Sequence, residues 1–287
     1  MRNKLLRYLL SGAFLLLFSS FLWPQSSNSR VEFHKMPCTK LQGVSERDYT
    51  VYLPPSYDNT KSRKYPVLYL LHGGNCSNRD WVTHGNLQAV TDSLIRIGMA
   101  KEMVIVCAEG NQNYMIWFDA PHWKYEDFFF NEFIPYIENK YRIIGDKRNR
   151  AVAGYSMGGG GAVVYGVHFP EKFNSICGMS SYLRSQHLEG LKNDPTSNER
   201  QRIVDDNNPI IRIERADNVD IERWKKVNWF IDCGDSDFTY DPNMNLISAF
   251  HSRGIPYRLY VEEGGHDWKY WERSLKRVIC FVSEKIM

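Results

Sequence analysis

From Tyr49 onward, short runs of apolar residues alternate with stretches whose apolar positions recur every three or four residues. The runs Tyr49–Leu53, Val67–Leu71, Met103–Ala108, Arg150–Ala153, Asn174–Met179, Trp229–Cys233 and Tyr257–Val261 have the lengths of strands, and most carry little polar interruption, as strands buried on both faces do. Between them, Leu87, Val90, Leu94 and Ile95 mark one amphipathic helix. Phe129, Phe133, Tyr136, Ile137 and Tyr141 mark a second, with Pro135 inside it as a point where it should kink. Trp268, Trp271, Leu275, Val278, Ile279 and Val282 mark a third. Strands alternating with helices predict an α/β fold, a mostly parallel central sheet flanked by helices on both faces.

Two stretches break this rhythm. Arg2, Lys4 and Arg7 precede an uncharged, mostly apolar run from Tyr8 to Trp23, the length of a signal-peptide core. Residues 1–25 are therefore expected to be an export signal, with an uncleaved N-terminal anchor as the alternative, because no A-x-A cleavage pattern follows. A lipoprotein is disfavoured, since the first cysteine, Cys38, falls well past the apolar run. The second stretch is Arg184 to Lys226, where 18 of 43 residues are charged, nine of each sign, with turn signals at Asp194-Pro195 and Asn208-Pro209. It reads as a solvated insertion with short helices, either a plain surface excursion or a lid beside the site. Residues 26–287 then form one domain, without internal repeats.

Charge changes the picture only when the leader is set aside. The chain has 36 Lys and Arg against 33 Asp and Glu; three of the basic residues lie in the leader, so the rest balances at 33 each. No basic footprint for nucleic acid remains, and no stable membrane insertion is expected once the leader is gone. All six cysteines follow the leader without a C-x-x-C pair, and Cys107, Cys177, Cys233 and Cys280 lie in apolar runs. Buried free thiols are the expectation, with a single Cys38–Cys76 bridge as the alternative that export would allow.

The strongest chemical signal is Gly154-Tyr155-Ser156-Met157-Gly158, which follows one predicted strand and opens a helix. A serine on a sharp strand-to-helix turn needs small neighbours for close backbone passage, and it sits where helix N-terminal N–H groups can bind a developing negative charge. A serine hydroxyl also needs a base and an acid to orient that base. Gly264-Gly265-His266-Asp267 supplies the base after the last predicted strand, and Trp229–Cys233 leads into Gly234-Asp235-Ser236-Asp237. On spacing alone Asp232, Asp235 and Asp237 compete for the acid. Leu71-His72-Gly73-Gly74, at the end of another strand, offers a glycine loop for a second oxyanion donor beside the N–H of Met157. No H-E-x-x-H or similar ligand spacing is present, and the chemistry requires neither metal nor organic cofactor.

Taken together, Val51-Tyr52-Leu53-Pro54-Pro55-Ser56-Tyr57, Tyr65-Pro66-Val67-Leu68-Tyr69-Leu70-Leu71-His72-Gly73, the Ser156 elbow and Gly264-Gly265-His266-Asp267 resemble the esterase D / antigen 85 branch of α/β-hydrolases. That branch includes the feruloyl and acetylxylan esterases of carbohydrate esterase family 1, and the resemblance runs from about Tyr49 to Ile286. It implies Ser156 as nucleophile, His266 as base and Asp237 as acid, because the branch's Gly-x-x-Asp motif falls on Gly234 to Asp237. It also implies the backbones of Gly74 and Met157 as oxyanion donors, although Gly74 departs from the bulkier residue some relatives carry. The expected activity is a serine carboxylester hydrolase acting on feruloyl or acetyl esters of plant polysaccharides or oligosaccharides. Trp81, Trp117, Phe118, Trp123 and Trp268 are the candidates to contact an acyl group or sugar. A siderophore-ester hydrolase, an antigen 85-type acyltransferase and a non-catalytic carbohydrate-binding protein are the competing readings. With export, the enzyme would work in the periplasm or outside the cell.

Overall fold

The computed structural model describes residues 28–110, 117–120, 123–183 and 197–286. The expected export signal lies outside these residues, as does the first part of the charged insertion. In chain order the strands are β1 (Arg30–Pro37), β2 (Glu46–Leu53), β3 (Val67–Leu71), β4 (Val104–Ala108), β5 (Asp119–Ala120), β6 (Trp123–Lys124), β7 (Arg150–Tyr155), β8 (Ser175–Met179), β9 (Asn228–Gly234) and β10 (Tyr257–Glu262). The helices are α1 (Asp80–Thr83), α2 (Leu87–Arg96), α3 (Tyr125–Phe128), α4 (Ile134–Lys140), α5 (Met157–His168), α6 (Ser197–Asp206), α7 (Pro209–Glu214), α8 (Asn218–Trp224), α9 (Tyr240–Ser252) and α10 (Trp268–Lys285).

Eight strands form one sheet in the order β1-β2-β4-β3-β7-β8-β9-β10, and β5 and β6 pair separately. The β1–β2 and β2–β4 pairings are antiparallel, and every pairing from β4 to β10 is parallel. Each of the seven expected strands is present to within a few residues. β3, β4, β7 and β8 are buried along their whole length, as their unbroken apolar runs require. Side chains alternate between two cores: Leu68 and Leu70 face a layer with Trp81, Leu87, Tyr270, Leu275 and Val278, whereas Val67, Tyr69 and Leu71 face Phe128, Phe133, Tyr165, Trp224 and Leu246. Helices α1, α2 and α10 thus cover one face and α3 to α5 with α7 to α9 the other.

Pro135 acts differently from a plain kink. The residues Phe129–Phe133 form a π-helical turn, and α4 restarts with Pro135 in its first turn. There the missing N–H costs little, and the wider turn before it absorbs the break in the ladder. The described part of the charged insertion is also more than a solvated excursion. Ile213, Ile221 and Trp224 are buried in the core, and Trp224 Nε1 donates to the Val167 carbonyl at the end of α5 at 3.0 Å. None of the six cysteines is in a disulfide, so Cys38 and Cys76 form no bridge. Burial pushes the Cys233 thiol up to about 12. Among the described residues no helix is long and apolar enough to cross a membrane.

Candidate active site

The carboxyl ends of β7, β8, β9 and β10 lie side by side, so the loops that leave them meet. Ser156 occupies the turn between β7 and α5 with φ 53° and ψ −120°, a conformation that costs an L-residue of order 1–3 kcal/mol and persists only where its surroundings fix it. Here they do. Its N–H donates to the Met179 carbonyl at 2.9 Å, and its own carbonyl accepts from Gly160 at 3.0 Å and Tyr182 at 2.8 Å. Gly158 is obligatory for the turn, since a Cβ there would stand 2.5 Å from the carbonyl oxygens of Leu71 and His72.

The loops that follow β9 and β10 are laced to each other by backbone. Asp235 N–H donates to the Glu262 carbonyl at 2.9 Å and Ser236 N–H to the Gly264 carbonyl at 3.0 Å. Gly234 allows this approach, because a Cβ on it would lie 2.2 Å from the Gly264 oxygen. The lacing delivers His266 between two partners. Its Nε2 is 2.8 Å from Ser156 Oγ, and its Nδ1 is 2.9 Å from each Asp237 carboxylate oxygen. Asp237 Oδ1 also accepts from the N–H and hydroxyl of Thr239, each at 2.8 Å. Burial pulls the Asp237 pKa upward, but the hydrogen bonds from His266 and Thr239 outweigh it and hold the carboxyl below its ordinary value.

The competing acids are placed elsewhere. Asp232 is fully buried and bonded to Tyr270 and to Arg277, whose Nε is 2.7 Å away. Asp235 is exposed and accepts from the Gly264 N–H at 3.2 Å. Asp267 caps α10 by accepting from Tyr270 N–H at 2.9 Å.

Met157 is the first residue of α5, where a backbone N–H has no acceptor earlier in the helix. Gly74 is partly exposed in the turn after β3, beside Asn75 at φ 55°. His72 braces that turn from below: Nδ1 donates to the Gly73 carbonyl at 2.7 Å, and Nε2 accepts from Gly110 N–H at 2.8 Å, which places the ring proton on Nδ1.

The tryptophans expected to meet substrate fall mostly into the core. Trp81 is completely buried and donates to the Leu71 carbonyl at 3.3 Å, so it offers no surface to a ligand. Trp117 and Trp123 are 3% and 4% exposed, Trp117 being packed edge-on to His72 and Tyr125. Trp268 and Phe118 retain partial exposure. Spacing did not single out Phe238, which is 55% exposed with its ring 4.3 Å from the His266 imidazole. Its place directly after Asp237 was the one available clue. Among the described residues no cluster of His, Cys, Asp and Glu is placed to hold a metal ion.

Comparison with known proteins finds esterases along most of the chain. The family described as "Putative esterase" matches residues 44–280. An acetyl esterase of Caldicellulosiruptor saccharolyticus is 23% identical over 233 residues, covering 78% of this chain and 85% of the relative. An endo-1,4-beta-xylanase/feruloyl esterase of Xylanibacter ruminicola is 35% identical over 129 residues, 43% of this chain but 18% of that longer protein. Among solved structures, a ferulic acid esterase superposes with a TM-score of 0.85 at 41% identity, covering 91% of this chain and all of the other. An S-formylglutathione hydrolase from Staphylococcus aureus, at 19% identity and a TM-score of 0.74 over 90% of this chain and 100% of the other, shares the fold. The fold is that of the α/β-hydrolases.

Proposed function

Because the chain belongs to the esterase family and is a carboxylic ester hydrolase, we propose that it hydrolyses feruloyl or acetyl esters of plant polysaccharides or their oligosaccharides through Ser156, His266 and Asp237. The observation that carries this reading is the unbroken line from Ser156 Oγ through His266 Nε2, at 2.8 Å, and Nδ1 to Asp237, at 2.9 Å. In the first step Ser156 Oγ attacks the ester carbonyl while His266 Nε2 takes its proton. The tetrahedral oxyanion rests on the backbone N–H groups of Met157 and Gly74. His266 then protonates the departing alcohol, leaving an acyl-enzyme. A water deprotonated by the same nitrogen releases the acid and restores the serine. Asp237 keeps the proton on Nδ1, so that Nε2 is free to act as base, and stabilises the imidazolium that forms.

Support for the substrate class comes from the ferulic acid esterase and acetyl esterase relatives. The exposed Phe238, its ring 4.3 Å from the His266 imidazole, offers aromatic surface beside the histidine, and Trp268 keeps partial exposure at the start of α10. The basic start and apolar run of the leader support export, with residues 26–287 as the single working domain.

The test compares the domain from residue 26 with its Ser156→Ala variant on 4-nitrophenyl acetate, methyl ferulate and acetylated xylan. Ser156-dependent release is expected, and the ratio of feruloyl to acetyl turnover assigns the acyl group. Hydrolysis retained by a folded Ser156→Ala protein would overturn the nucleophile. Failure of the folded wild type on all three would overturn the substrate class.

A further inference from the structure

The sheet ends in two edge strands, and the chain treats them differently. β1 carries Arg30, Glu32 and Lys35 and closes on Pro37, charges and a missing N–H of the kind that keep an edge from recruiting another strand. β10 reads Tyr257-Arg258-Leu259-Tyr260-Val261-Glu262, with neither lysine nor proline. Tyr260 and Val261 are 37% and 38% exposed. Among the described residues no strand lies outside β10, so its outer backbone groups stand beside exposed apolar side chains.

The hydrogen bonds to β9 set the phase of that outer edge. Successive residues of a strand turn their backbone groups to opposite sides. The Glu262 carbonyl accepts from Asp235 N–H, just past β9, at 2.9 Å. Arg258, Tyr260 and Glu262 therefore face β9, and Tyr257, Leu259 and Val261 turn N–H and C=O outward. A second copy docked antiparallel about a two-fold axis must set outward-facing residues opposite each other. That condition puts the axis on a residue, and three lie near the middle of the exposed stretch. Centred on Leu259, the pairing sets Arg258 against Tyr260 of the second copy; centred on Val261, it sets Glu262 against Tyr260. Centred on Tyr260, it sets Arg258 against Glu262, Leu259 against Val261, and Tyr260 against itself.

Of the three registers, the one about Tyr260 matches opposite charges. Arg258 already lies 2.8 Å from Glu284, and Glu262 lies 2.7 Å from Arg277. Across the axis the signs would then alternate from Glu284 through Arg258 to Glu262 and Arg277 of the second copy, with no like charges adjacent. Such exposed pairs add little affinity, but they select register. We propose that β10 is a dimerisation strand, joining two copies of this chain antiparallel about Tyr260 so that their sheets become continuous.

Sedimentation equilibrium of the purified protein tests this. The wild type should show a concentration-dependent equilibrium between one-chain and two-chain masses. Tyr260→Lys places two ammonium groups face to face and removes an aromatic pair. It should raise the dimer dissociation constant about tenfold or more, with an unchanged circular dichroism spectrum showing that the chain still folds. Tyr260→Cys reads the register. Residues opposite each other in a non-hydrogen-bonded pair have Cα atoms about 4.5 Å apart, a span that a disulfide bridges. Mild oxidation should therefore link Tyr260→Cys into dimers on a non-reducing gel, and leave Val261→Cys and the wild type unlinked. A one-chain mass at every concentration, or a two-chain mass that Tyr260→Lys leaves intact, would overturn the proposal. Linkage through Val261→Cys in place of Tyr260→Cys would overturn the register.

Discussion

Asp232 and Asp237 stand close together at the end of β9, and their carboxyl groups belong to different networks. The first is locked to Arg277 and Tyr270, the second to His266 and Thr239. Substitution should separate them cleanly. Asp237→Asn is expected to lower kcat by about 10⁴-fold through loss of the productive histidine tautomer. Asp235→Asn should stay within a few-fold of wild type. Asp232→Asn should destabilise the protein by about 1.5–3 kcal/mol, because Arg277 loses its buried carboxylate and keeps only the half-exposed Glu262, 2.7 Å away, with kcat per folded molecule little changed. Urea unfolding alongside steady-state kinetics on the three proteins distinguishes these outcomes.

The Asp237 carboxyl also ties stability to pH. Its folded pKa lies below the ordinary carboxylate value. The stabilisation it provides is therefore complete above the unfolded value of about 3.9 and is lost as pH falls through the lower folded value. The difference in Tm between wild type and Asp237→Asn should thus be larger at about pH 6 than at about pH 3. A difference independent of pH, measured by thermal unfolding at both, would remove the linkage.

Arg150 opens β7, the strand that ends at the elbow, and forms a two-pronged pair with Glu138 of α4 at 2.7 and 2.8 Å, with both side chains mostly buried. Glu138→Ala should cost about 3 kcal/mol, because the guanidinium stays behind with only the Lys172 and Gly145 carbonyls as partners. Chemical denaturation reads this directly, and an unchanged midpoint would argue that water replaces the carboxylate.

Two glycines of the site loops should respond in opposite ways to alanine. At Gly158 the new methyl meets backbone oxygens at 2.5 Å, so Gly158→Ala should lower stability by more than about 2 kcal/mol and abolish activity. At Gly265 there is nothing within 4 Å of the added carbon, and Gly265→Ala should unfold at the wild-type midpoint. Denaturation curves of the pair check both.

Phe238 is expected to act on selectivity. Removing an aromatic contact costs about 0.5–1.5 kcal/mol. Phe238→Ala should therefore raise KM for methyl ferulate by about two- to twelvefold, with kcat/KM for 4-nitrophenyl acetate within about twofold. Equal losses on both substrates would show that the ring supports His266 rather than the acyl group.

The sheet was legible in the sequence because its central strands are buried on both faces and read as unbroken apolar runs. β1 escaped notice since Arg30–Pro37 interleaves charged and apolar residues, as a partly exposed edge strand does. α9 was hidden by Asp241-Pro242-Asn243 at its start, where residues of low helix propensity mask the segment. Ser156 and His266 stood out through their glycine surroundings. The carboxylate that faces His266 did not, because three aspartates lie within six residues and only the lacing of the β9 and β10 loops decides that it is Asp237. Tryptophans carry no linear mark of whether they line a site or fill a core: Trp81, expected to meet substrate, is completely buried, and the exposed Phe238 beside His266 was not singled out. The hydrogen bond from Trp271 to Ser180 joins residues 91 positions apart and leaves no local signature.

The imidazole that faces Ser156 comes from the final connection of the chain, between β10 and α10, 110 residues after the serine. The segment that follows His266 is α10, whose Tyr270, Leu275, Val278, Ile279 and Val282 are buried in the core. A product cut short ahead of His266 therefore loses the imidazole and the cover of one sheet face together, so loss of the site and loss of the fold are coupled at that point of the chain.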